Sequence, residues 1–163
     1  MTENELPKAT AGARSPADYL ADRPDREERE DIERQAASGA NEGALAEQFR
    51  YMTGFNAGRD AFGDFERARK ALADDVDRER TSYELALRCE RDGSPIPHGF
   101  RPSREHLIRM FIADRRLTYV IKAEATYRAQ LAAVEIASRP PLSDKERIAA
   151  LERKLAALRP EGA

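Results

Sequence analysis

Gly93-Ser-Pro-Ile-Pro-His-Gly-Phe-Arg-Pro102 is the stretch on which the fold turns. Three prolines and two glycines in ten residues cannot continue a helix: proline lacks the N–H and clashes with the preceding turn, and glycine is costly to order. Folding the chain here sets residue i against a residue numbered near 193 or 194 minus i. In that register opposite charges face one another: Asp92 and Arg101, Glu90 and Arg104, Arg88 and Glu105, Glu84 and Arg109, Arg80 and Asp114. Further along come Glu79 and Arg115, Asp77 and Arg116, Arg69 and Glu124, Glu66 and Arg128, Arg59 and Glu135. The same register pairs Leu87 with Leu107, Tyr83 with Phe111, Val76 with Leu117, Leu72 with Ile121, Phe65 with Tyr127 and Phe62 with Leu131. A register that satisfies both patterns predicts an all-α fold built on a long antiparallel, coiled-coil-like helical hairpin.

Working outward, Asn41 is a good N-cap for a first long helix reaching Gly93, roughly 75 Å at 1.5 Å per residue. Gly54, Gly58 and Gly63 are its weak points, each costing on the order of 1 kcal/mol against alanine, and a break among them is compatible with the pattern. Ser103, with Glu105 in the first turn, caps a second helix that Pro140-Pro141 stops after about Ser138. Ser143-Asp-Lys-Glu146 is a capping box for a last helix, in which Ile148, Leu151, Leu155 and Leu158 recur at steps of three, four and three. That is an a/d seam of two heptads, below the three or four that define a coiled coil from sequence. Towards the N-terminus, Asp25 and Glu28 open a short helix over about 26–37 that Ser38-Gly39 ends. Ile32 is its one large apolar residue, and a helix polar all round has little reason to dock. Three regions are expected: a flexible acidic arm over 1–40, the hairpin over 41–139 and an amphipathic helix over 140–163. No strand candidate and no internal repeat is found.

The net charge of −2 conceals an asymmetry of −4 over residues 1–40, −3 over 41–93 and +5 over 94–163, so the two arms are complementary. Charged residues at 36% and aromatics at 7%, with no Trp, suit thin solvated helices rather than a core enclosing a large active-site cavity. Cys89 is the only cysteine, so no intrachain disulfide forms and a reducing compartment is favoured. The first fifteen residues have neither a basic n-region nor an apolar h-region, and no stretch approaches the ~18 apolar residues of a membrane span. The expected location is the cytoplasm, or a particle assembled there.

Little in the chain can carry catalysis. His98 and His106 lack a further ligand at metal spacing, and Glu105-His106 diverge on a helix. Asp74, Asp75, Asp77 and Glu79 lack the spacing and glycine of a calcium loop and read as a solvated helix face. No Walker loop, dinucleotide fingerprint or nucleophile elbow is present. No enzyme activity, cofactor, metal or small-molecule substrate is expected.

Two constellations point to binding instead. The segment 49–65 is rich in aromatics and glycines, and the shorter second helix leaves Leu45, Phe49 and Met52 needing cover, from a second copy or from the last helix. With Phe55, Phe62, Ile148, Leu151, Leu155 and Leu158 these form an expected interaction surface. Arg101, Arg104, Arg109, Arg115 and Arg116 form a candidate nucleic-acid stripe, unless the acids opposite them neutralise it. No family motif is recognised. In composition alone, its short Arg- and Ala-rich helices, the chain is similar to small phage or mobile-element proteins. The expected function is a non-enzymatic structural or assembly protein acting through helix–helix oligomerisation or partner binding. The alternatives are a nucleic-acid-binding or DNA-packaging accessory using the arginine stripe, and an inhibitor or adaptor docking its acidic arm on a basic partner.

Overall fold

The computed structural model describes residues 13–54 and 60–158. All regular structure among them is helical: α1 (Pro16–Ala21), α2 (Arg26–Ala40), α3 (Glu42–Gly54), α4 (Ala61–Asp92), α5 (Ser103–Ser138) and α6 (Asp144–Leu158). The protein is all-α. The chain divides between Tyr127 and Arg128 into two compact units.

In the first unit, α4 and α5 pack antiparallel on either side of the 93–102 loop. Gly93 closes α4 at φ +67°, a left-handed conformation that glycine adopts without a Cβ clash. Next to the loop, Glu90 meets Ser103; at the far end, Arg69 meets Glu124 and the Phe65 ring lies 6.0 Å from Tyr127. Two apolar clusters follow the expected stripe. Val76, Tyr83 and Leu87 pack with Leu107, Met110 and Phe111, while Phe65 and Leu72 pack with Val120 and Tyr127.

The first long helix is not continuous. Phe49 in α3 stacks on Phe65 in α4 with ring centroids 5.0 Å apart. One straight helix would separate residues sixteen positions apart by roughly 24 Å. The chain therefore reverses between α3 and α4, and Phe49 fills the second cluster beside Val120 and Tyr119.

The N-terminal helices dock where the sequence predicts an exposed arm. A capping box opens α1: Ser15 Oγ accepts from the Asp18 N–H, and the Asp18 carboxylate accepts from the Ser15 N–H. Tyr19 and Leu20 then enter the first cluster with Ile32. In α2, Ile32, Ala36 and Ala40 are fully buried. Small residues around one isoleucine suffice because they let the helix axis come close. Gly39 belongs to this face rather than ending the helix: a Cβ there would lie 2.5 Å from Ile112 Cδ1. Asn41, left-handed at φ 48°, ends α2, and its carbonyl accepts the first backbone bonds of α3.

The second unit comprises the end of α5 and α6. Ser143 and Glu146 form the expected capping box, Ser143 N–H donating to Glu146 Oε2 at 2.8 Å and Glu146 N–H to Ser143 Oγ at 3.3 Å. Those bonds, the Ser143 hydroxyl first, hold the Glu146 carboxyl below the usual carboxylate range. No residue of 128–158 is buried, and only Ala149 and Ala150 are half-buried.

Candidate interaction surface

The five arginines of the candidate stripe are largely occupied within the chain. Arg101 Nη1 reaches Glu105 on its own helix at 3.1 Å. Arg104 pairs with Asp31 of α2, and Arg109 Nη1 lies 3.9 Å from Glu79. Arg116 donates from Nε and Nη2 to the carbonyls of Ala40 and Gly39, both at 3.0 Å, so it caps the C-terminal end of α2. Arg115, with Arg80, opposes the burial that pushes the Asp114 carboxyl up. Internal neutralisation was one of the two readings open for this stripe, and the partners differ from those of the simple register.

No single register describes the arms. The residue numbers add to 193 at Glu90–Ser103, to 185 at Glu79–His106 and to 193 again at Arg69–Glu124. Of the predicted ion pairs, Arg69–Glu124 forms as expected: Nε lies 2.9 Å from Oε2, as an ion pair whose N–H is not directed along the contact. Glu90 does not take Arg104. Its carboxylate accepts the N–H and the hydroxyl of Ser103 at 2.8 and 2.6 Å, so the opposite arm caps α5. Glu84 does not take Arg109 but accepts from the Tyr19 hydroxyl. Burial and that carboxylate together push the Tyr19 phenol up to about 12. Arg78 and Arg80 turn to Asp75 and Asp77 on their own helix, so these two acids of the run 74–79 are paired within α4.

His106 is the buried polar residue the charge register could not reveal, because a neutral imidazole carries no sign. Its Nε2 accepts the Arg101 N–H at 3.1 Å, which places the ring proton on Nδ1, donating to Glu79 Oε2 at 2.7 Å. Both ring nitrogens have partners within the fold. A cleft of about 230 Å³ opens beside this pair, lined by Leu72, Asp75, Arg78, Arg109, Ile112 and Arg116 among others. Its arginines face the acids and carbonyls already named. Among the described residues, no group of three or more His, Cys, Asp or Glu is placed to hold a metal ion. No described helix is long and apolar enough to cross a membrane.

The predicted interaction residues separate into two sets. Phe49 is buried, and Leu45 and Phe62 are half-buried, Leu45 against the second cluster and Phe62 at 5.3 Å from the Tyr127 ring. Phe55 and the side chain of Met52 lie outside the described residues. In contrast, Ile148, Leu151, Leu155 and Leu158 are 57%, 60%, 64% and 79% exposed. Leu131, paired with Phe62 in the simple register, is 42% exposed, and Val134, Ile136 and Leu142, which the sequence reading did not single out, are exposed as well. Phe62 packs on Tyr127 within the first unit. The unmet apolar surface thus gathers beyond residue 128. No family model, curated protein or solved structure matches the chain.

Proposed function

We propose that the chain is a non-enzymatic helical assembly protein whose associating surface is the apolar segment 128–158. One observation carries the reading: of ten exposed large hydrophobic residues among the described residues, eight fall between Leu131 and Leu158. Scattered surface leucines are ordinary, but a run of them on a segment that buries nothing of its own marks an interaction site. Each leucine or isoleucine covered on association contributes about 1.5–3 kcal/mol, so four on one seam suffice to drive specific pairing. Phe49, Phe62 and Phe65 serve the internal core in this reading, and assembly rests on residues 128–158.

The test is a Leu151→Glu, Leu155→Glu double variant compared with the native chain by size exclusion and circular dichroism. The variant is expected to lose self-association while the core helices unfold at the same denaturant concentration. Unchanged self-association in the variant would remove the segment from the assembly surface.

A further inference from the structure

Resting on that reading, we infer that the occupant of the α6 seam is a second copy of the same helix, paired parallel and in register as a two-stranded coil. The steps three, four, three fix the heptad frame: Ile148 and Leu155 take a positions, Leu151 and Leu158 take d positions. Leucine fills both d positions and the β-branched Ile148 the first a position, the combination that favours two strands, while the second a position is Leu155.

Orientation follows from the flanking charges. In this frame Arg147 is a g position and Glu152 the following e position. Within α6 a parallel pair sets g of one copy against the next e of the other, which joins Arg147 to Glu152 twice, once on each side of the seam; Lys154, the other g residue, has Arg159 as its next e, a like charge past the end of α6. An antiparallel pair layers Ile148 on Leu158 and Leu151 on Leu155; it sets Glu152 against Glu152 and Lys154 against Lys154, like charges on both flanks. Among the described residues Arg147 and Glu152 make no side-chain ion pair within their own chain, whereas Arg139 pairs with Glu135 and Glu146 is taken by Ser143. These two charges are therefore available for a partner, and the partner they match is each other. Two heptads are short for a coil, so the pairing is concentration-dependent.

Disulfide trapping in the full chain, with Cys89→Ala removing the native thiol, reads the orientation. Ile148→Cys and Leu158→Cys are introduced separately and oxidised mildly. A parallel coil brings each cysteine beside its own counterpart, so both single variants are expected to form covalent dimers. An antiparallel coil holds them about 15 Å apart, beyond disulfide reach, and cross-links only a mixture of the two. Cross-linking confined to the mixture would overturn the parallel coil while leaving assembly through 128–158 standing; a monomer throughout would overturn both.

Charge exchange, which leaves the seam intact, gives a second route. Arg147→Glu alone and Glu152→Arg alone are each expected to weaken self-association at least tenfold, and their equimolar mixture to recover a heterodimer. Two monomers in the mixture, or a trimer or larger species from the native chain, would contradict a two-stranded parallel pair.

Discussion

Phe49 stacks on Phe65 at 5.0 Å across sixteen positions of sequence, and this contact folds α3 back along α4. It converts what reads as a sticky aromatic surface into core. Phe49→Ala is accordingly expected to cost about 3–5 kcal/mol in the unfolding free energy, as deletion of a buried phenyl ring does. Urea denaturation followed by circular dichroism measures it. A change below about 0.5 kcal/mol would show that Phe49 contributes nothing to the fold.

Glu90 and Ser103 join the two arms at the loop. Glu90→Ala leaves the Ser103 N–H without its carboxylate at the start of α5, although Arg23 still donates to the Ser103 hydroxyl at 3.2 Å. A loss of about 1–3 kcal/mol is expected. Glu90→Gln, which keeps one acceptor oxygen, is expected to lose less. Equal losses in the two variants would argue that packing rather than capping holds the loop closed.

Arginine 116 separates a structural from a nucleic-acid role for the stripe. Its two bonds to the Gly39 and Ala40 carbonyls close α2, so Arg116→Ala is expected to cost about 1.5–3 kcal/mol. Amide hydrogen exchange should speed up in the last turn of α2. Unaltered exchange there, together with lost affinity for duplex DNA that weakens with salt, would favour the binding role.

The Tyr19 phenol gives a pH signature. Its folded-state value of about 12 lies above the usual value of 10.0, so the neutral form is the one the fold favours. The stability it adds is fully present below pH 10 and is lost as pH rises towards 12. Denaturation across that window should show a decline that Tyr19→Phe reduces. The same slope in the variant would assign the decline to other groups.

The parts of the fold legible in sequence are those written in local chemistry. Ser15, Asp25 and Ser143 cap helices as their types suggest, Gly93 ends α4, and Arg69 finds Glu124 across the arms. What sequence reading missed depends on approach distance and on neutral partners. Ala36, Gly39 and Ala40 carry almost no hydropathy signal, yet their small size lets α2 lie on α5. The reversal before α4 leaves the 3.6-residue periodicity of each helix intact, so periodicity cannot announce it. In the candidate surface, the α6 seam was visible as a heptad pattern, whereas the exposure of Leu131, Val134, Ile136 and Leu142 is read from the fold alone, since apolar residues inside a long helix look like core in sequence.

Molar mass by light scattering after size exclusion, over a hundredfold range of protein concentration, tests assembly through residues 128–158 most directly. The expected result is a mass that rises from 18.3 kDa towards twice that value with concentration in the native chain, and stays at 18.3 kDa in Leu151→Glu, Leu155→Glu. A native chain fixed at 18.3 kDa at every concentration would contradict self-assembly.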